Sequence, residues 1–218
     1  MYIARIGEWA EALRCTLRRV YDPTTRTPVP WLLTGDAALA LQGVQVNPDA
    51  IEFRAISPVA VAYFGQFMRP HELPATVATV VYRRGGNMAP SDGWRSNVHQ
   101  RVVAWSHAGR ATWLGRWNID GVPVQASYVM GIHPDPIALA TKAEVRRAHW
   151  EGMEVPVASL EYLLAERAMR NDTQATHRIL PVMRQRGYDP EVLQSALSVL
   201  PSDKASRLSR LVEFSLIA

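Results

Sequence analysis

The fold is decided by one stretch, Pro30-Trp31-Leu32-Leu33-Thr34-Gly35-Asp36-Ala37-Ala38-Leu39-Ala40-Leu41-Gln42-Gly43, and by the Ile51-Glu52-Phe53 that follows it. The apolar run before Gly35 predicts a short buried strand that ends in a turn. The alanines and leucines after Asp36 predict a brief helix, which Asp36 caps and Gly43 ends. Residues 50–56 predict a second strand. This order of elements predicts an α/β fold.

The composition sets the broad class of the protein. The chain has 218 residues, 48% of them hydrophobic, which is enough to bury a core in one domain with an appendage or in two small domains. The sequence holds no run of about 18 apolar residues, so we expect no membrane span. Cys15 is the single cysteine and cannot form an internal disulfide. We therefore expect a cytoplasmic protein.

The basic residues are almost all arginines. The net charge is +4, and 22 of the 24 basic residues are arginines, because Lys142 and Lys204 are the two lysines. Guanidinium groups suit contacts with phosphates and nucleic acids. Arginines that simply cover solvated faces would give the same composition. A modest net charge alone does not decide between these interpretations.

The middle of the chain is rich in strand patterns. These patterns occur in six segments, at 76–82, 101–106, 111–119, 122–129, 144–150 and 153–157. Asp120-Gly121 predicts a hairpin turn between two of them, and Glu151-Gly152 separates another two. We expect these strands to form a mixed, twisted sheet.

Helical patterns flank the predicted sheet. Apolar spacing predicts a helix over 2–20, and Ser57-Pro58 starts another that reaches Met68. After residue 157 the pattern is helical, with starts at Ser159, at about residue 174, at Asp189-Pro190 and at Pro201. We therefore predict an α/β domain over residues 1–157 and a helical C-terminal domain over residues 158–218.

Two segments resemble motifs of the nucleotidyltransferase superfamily. Residues 32–43 are similar to its strand–Gly-Gly–Ala-Leu-x-Leu-x-Gly motif, in the minimal bacterial branch that includes abortive-infection toxins. The second segment is Val155-Pro156-Val157-Ala158-Ser159-Leu160-Glu161-Tyr162-Leu163-Leu164-Ala165-Glu166-Arg167. It is similar to the helix that follows the catalytic sheet, and Arg167 stands at the position of a frequent lysine. The resemblance covers residues 30 to about 180 and implies a nucleotidyltransferase-like fold.

The resemblance also implies a chemistry. Family members transfer a nucleotidyl group with two divalent metals, usually magnesium, held by paired carboxylates at i and i+2 on the second strand and by a third on a neighbouring strand. Aligned on Ile51, these positions fall on Ala50, Glu52 and Gln125. The metal-site motif is therefore degenerate. Glu52 and the adjacent Asp49 remain as candidate catalytic and metal-binding residues.

The glycine turn and an arginine-rich stretch each keep two interpretations. The resemblance implies that Gly35 and Asp36 approach the phosphates of a nucleotide, whereas the local pattern makes Asp36 a helix cap. Residues 83–117 interleave arginine with tryptophan. In the first interpretation, the tryptophans fill the core and the arginines face water. In the second, the stretch forms a surface that binds nucleic acid.

These observations give three hypotheses for function. The first is a nucleotidyltransferase-like protein with a degenerate metal site, inactive or weakly active, that binds a nucleotide, RNA or a protein partner. The second is an active magnesium-dependent nucleotidyltransferase of the toxin–antitoxin type, with Asp49, Glu52 and Asp36 in a rearranged site. The third is a regulatory or structural module that binds a partner protein through its helical half. Magnesium is a cofactor only in the active case.

Overall fold

The computed structural model describes residues 7–20, 31–68, 89–98, 100–131 and 146–217. Contacts between residues divide the chain into two compact units. Of the described residues, the β-rich unit holds 7–20, 31, 49–68, 89–98 and 100–131, and the helical unit holds 32–48 and 146–217.

The elements of each unit follow one another along the chain. The β-rich unit holds α1 (Glu8–Val20), β2 (Ile51–Ala55), α3 (Pro58–Phe67), β3 (Val103–His107), β4 (Arg110–Ile119) and β5 (Val122–Gly131). The helical unit holds β1 (Trp31–Thr34, without Trp31), α2 (Gly35–Leu41), β6 (Arg146–Trp150), β7 (Met153–Val157), α4 (Leu160–Met169), α5 (Thr173–Arg186), α6 (Pro190–Ser198) and α7 (Ser202–Val212). A five-residue π-helix, Glu213–Ile217, follows α7.

The four strands of the β-rich unit lie in the order β3-β4-β5-β2. The first three form antiparallel hairpins, and β2 runs parallel to β5. The two hairpin turns, Ala108-Gly109 and Asp120-Gly121, have positive φ at both residues. This turn geometry matches the natural twist of paired strands. The sheet of this unit is therefore mixed, as the sequence predicts.

The two faces of this sheet are covered by different parts of the unit. Helices α1 and α3 pack against one face. There the Phe53 ring lies 5.0 Å from the rings of both Trp31 and Phe64. On the other face, Trp94 packs with Val103 and Leu114 in a second buried cluster. The segment that carries Trp94 therefore lies over the face opposite the helices.

The helical unit is organised around α4. Its strands lie in the order β1-β7-β6, with β1 parallel and β6 antiparallel to β7. Every residue of α4 from Leu160 to Glu166 is buried. Helix α4 contacts α2, α5, α6 and α7. The unit therefore joins a small mixed sheet to a helical cluster with one central helix.

Most predicted starts and ends of elements are confirmed. Ser57 Oγ accepts a hydrogen bond from Ala60 N at 3.2 Å, and Ser159 Oγ accepts one from Tyr162 N at 3.4 Å. Gly43, with φ +85, follows the last turn of α2. Residues 2–6 of the predicted first helix and the predicted strand at 76–82 lie outside the described residues.

The prediction that Asp36 caps α2 is wrong. The helix begins at Gly35, whose φ of 65 lets the chain leave β1 directly into the helix. The cap position therefore falls on Thr34, which makes no side-chain cap hydrogen bond, and Asp36 lies in the first turn.

The predicted domains, 1–157 and 158–218, do not coincide with the two units. The described residues 32–48, which include α2, group with the helices of the C-terminal half. The division at residue 157 stays a prediction.

In the described ranges, no helix has the length and apolar character needed to cross a lipid bilayer.

Candidate functional site

Three polar side chains lie in one row across β2, β5 and β4. The parallel register pairs Glu52 with Gln125, and the antiparallel register pairs Gln125 with Arg116. Residues paired in this way project from the same face of a sheet. Gln125 Nε2 donates a hydrogen bond of 2.6 Å to Glu52 Oε1. The row therefore brings the second and third metal-site positions implied by the resemblance into direct contact.

This row lines a cavity of about 220 Å³ within the β-rich unit. Ala50 and Pro123 line it beside the row, and Asp92 and Arg95 line it from the segment that covers this face. All three positions that the resemblance assigns to metal ligands, 50, 52 and 125, therefore border one space. Glu52 is the single carboxylate among the three.

Backbone carbonyl groups hold the two arginines of the cavity. Arg116 Nη1 donates to the carbonyl oxygens of Ser91 and Asp92, at 3.3 and 3.0 Å. Arg95 Nη1 donates to those of Asp92 and Trp94, at 2.8 and 2.9 Å. The same segment is tied to β4 by the Ser96 N to Arg116 O hydrogen bond of 2.7 Å. These contacts fix both guanidinium groups at the cavity.

The electrostatic environment of Arg116 is unfavourable for its charge. Burial lowers the pKa of Arg116, the positive charge of Arg95 lowers it further, and the Asp92 carboxylate raises it by a smaller amount. Arginine remains protonated near neutral pH even so. The cavity lining therefore holds two arginines and two carboxylates, Glu52 and Asp92, and its surroundings disfavour the charge of Arg116.

The residues present do not fit a two-metal centre. Magnesium prefers several hard oxygen ligands. Ala50 has no ligand atom, and Gln125 turns its amide nitrogen, a donor, towards Glu52. Within the part of the chain that the structure describes, no three His, Cys, Asp or Glu side chains are placed to hold a metal ion. We therefore derive no catalytic step through a metal here.

The other candidate site residues lie elsewhere. Asp49 is exposed and is not part of the cavity lining. Gly35 and Asp36 belong to the helical unit. There Asp36 Oδ1 pairs with Arg167 Nη2 at 2.7 Å, and Arg167 Nη1 also lies 3.4 Å from Asp172 Oδ2. The carboxylate of Asp36 is thus engaged by the residue at the family's lysine position.

The tryptophans of residues 94–117 belong to the core. Trp94 and Trp117 are buried, and Trp105 packs against the cluster around Trp94. Trp113 is half-buried and lies 5.5 Å, ring to ring, from Tyr128. The core interpretation is therefore confirmed for these four residues.

Four residues of the cavity were not assigned to the site from the sequence: Asp92, Arg95, Arg116 and Pro123. Two of them, Arg95 and Arg116, carry positive charge. Both were part of the arginine-rich stretch and were expected to face water or nucleic acid. A signal for Arg116 was present, because the Asp120-Gly121 turn pairs Ile119 with Val122. Counting back along the hairpin then pairs Arg116 with Gln125.

Comparisons with known proteins support the fold. No protein-family model matches the sequence, and a search of curated proteins finds no significant match. Among solved structures, the chain is similar to a protein of Thermotoga maritima described as a "putative nucleotidyltransferase", with a TM-score of 0.51 and 19% identity. The match covers 85% of this chain and 98% of that one. The chain has a nucleotidyltransferase-like fold.

Proposed function

We propose that this nucleotidyltransferase-like protein binds the phosphate groups of a nucleotide through arginine and does not carry out metal-dependent transfer. The observation that supports the proposal is the cavity in which Ala50, Glu52 and Gln125 meet Arg95 and Arg116. In this arrangement guanidinium groups take over the neutralisation of phosphate that metal ions perform in active relatives.

The electrostatics favour an anionic ligand. The Arg116 charge is partly desolvated and opposed by Arg95. An anion bound between the two groups relieves both penalties. Planar guanidinium forks match phosphate oxygens and form strong charge-assisted hydrogen bonds with them.

The size of the cavity and the carboxylate of Glu52 define which part of a nucleotide fits. A volume of about 220 Å³ is below the about 300–1,000 Å³ typical of small-molecule sites, so the cavity accommodates phosphates rather than a whole nucleotide. Glu52, as a carboxylate, can only accept hydrogen bonds. It therefore suits a ribose hydroxyl and not a phosphate oxygen.

Calorimetry with a nucleoside triphosphate tests the proposal. We expect ATP to bind with similar affinity in EDTA and in excess magnesium, and inorganic tripolyphosphate to compete with it. Arg116→Met should weaken ATP binding about tenfold or more, because it removes a charge-assisted contact worth about 1.5–3 kcal/mol. Arg110→Met is the matched control, since Arg110 lies exposed on the same strand and outside the cavity lining.

A labelled-nucleotide transfer assay separates the alternatives. Magnesium-dependent transfer that Glu52→Ala abolishes would overturn the proposal and support the active enzyme of toxin type. Failure of ATP and tripolyphosphate to bind, together with co-purification of a partner protein, would instead support the protein-binding module.

A further inference from the structure

The exposed face of α5 carries positive charge and no carboxylate. Most of its exposed residues recur at helical spacing and form one stripe: Gln174, His177, Arg178, Pro181, Arg184 and Gln185. Thr173 and Arg186, at the two ends of the helix, are exposed as well. The helix Thr173–Arg186 contains no Asp or Glu along its whole length. The acid-free face is therefore free of carboxylates that would repel an anionic partner.

The C-terminal end of α5 leads into a large groove in the same unit. The groove has a volume of about 1100 Å³, and Arg186 lines it together with Arg146, Arg147 and His149 of β6. Arg186 lies against the backbone of Gly43, where an added Cβ would come within 2.7 Å of Arg186 Nη2. Tyr188, an aromatic side chain suited to stacking, also lines the groove.

Three carboxylates line the groove, and two of them accept hydrogen bonds from backbone amides. Glu161, which is buried, accepts a hydrogen bond from Asp189 N at 2.9 Å. Asp189 accepts from the backbone amides of Glu191 and Val192. The third is Glu191. Glu154, which lies outside the lining, pairs with Arg147 at 3.0 Å. In the described part of the unit, Arg146, Arg178, Arg184 and Arg186 have no carboxylate within ion-pair distance.

We propose that the α5 stripe is a basic surface that, together with the adjoining groove, binds single-stranded nucleic acid. The arginines of α5 contact the phosphates, and the groove takes bases beside Tyr188. Arginine, rather than lysine, supplies nearly all of this charge and suits both phosphate contacts and stacking on bases. The surface lies in the helical unit and does not depend on the proposed nucleotide cavity.

Fluorescence anisotropy tests the proposal. It measures the binding of a labelled 12-nucleotide U strand to the full chain across a range of NaCl concentrations. Arg184→Gln combined with Arg186→Gln should weaken binding about tenfold at low salt. The slope of log K against log salt should fall in magnitude by about 1.4, since each phosphate contact to a single strand contributes about 0.7. The charge-matched control is Arg207→Gln combined with Arg210→Gln, on α7 of the same unit. It should keep the affinity at low salt and the salt slope of the unsubstituted protein.

Three outcomes would overturn the proposal. Equal weakening in the two double variants would show that net charge alone drives binding. Polyglutamate that competes as well as the U strand would show an unspecific anion surface. Duplex RNA that binds as tightly as the single strand would exclude the role of the groove.

Discussion

Arg167→Met is expected to lower the free energy of unfolding by about 2–3 kcal/mol, measured by urea denaturation. The side chain of Arg167 is 12% exposed and pairs with Asp36, which is 32% exposed. Removing one partner of a buried ion pair typically costs about 3–5 kcal/mol, because the remaining charge is left uncompensated. The partial exposure of Asp36 reduces this cost, since water can solvate its carboxylate.

A double variant distinguishes an uncompensated charge from simple loss of packing. Asp36→Ala combined with Arg167→Met should be more stable than Arg167→Met alone, because the Asp36 carboxylate is no longer left without its partner. Asp172 also loses Arg167 but keeps its hydrogen bond from Ala175 N. Arg207→Met, at an exposed position of α7, is the matched control and should change the stability by less than about 0.5 kcal/mol. Equal effects of Arg167→Met and Arg207→Met would contradict the interpretation.

Phe53→Ala is expected to cost about 3–5 kcal/mol of folding stability, the range for truncating a buried aromatic residue. Phe53 is 1% exposed, and its ring contacts Trp31 and Phe64 at 5.0 Å each. The truncation removes one of three rings that pack edge-on or tilted and leaves a cavity beside Trp31 and Phe64.

The chain supplies a control of the same residue type. Phe214 is 80% exposed, so Phe214→Ala should change the stability by less than about 0.5 kcal/mol. Phe53→Leu should restore most of the loss, because it refills the cavity. If Phe53→Ala lowers the free energy of unfolding by less than about 1 kcal/mol, this cluster is not a main source of stability in the β-rich unit.

Local patterns predicted the elements because the decisive signals are local. Ser57, Ser159 and Gly43 act on backbone groups within four residues, and the Asp120-Gly121 turn fixes the pairing of β4 with β5 by itself. Counting from the turn therefore places Arg116 opposite Gln125.

The contacts that define the site join residues that lie far apart in the sequence. No hairpin connects β2 to β5, so the pairing of Glu52 with Gln125, 73 residues apart, has no local signal. The resemblance to a family placed both residues in one metal site, and the structure shows them in contact. Asp36 is a second example, because its partner Arg167 lies 131 residues away and the local pattern predicts only a cap.

The hydrogen bond between Gln125 and Glu52 has a thermodynamic consequence. A protein whose native state binds an ion gains stability as the ion concentration rises. In this site a neutral amide occupies the place of a ligand, and guanidinium groups supply the positive charge. The proposal therefore predicts that folding is not linked to divalent ions at this cavity, and that the unfolding curves in chelator and in millimolar magnesium superimpose. A ligand site of this kind would stay intact through changes in the supply of divalent ions.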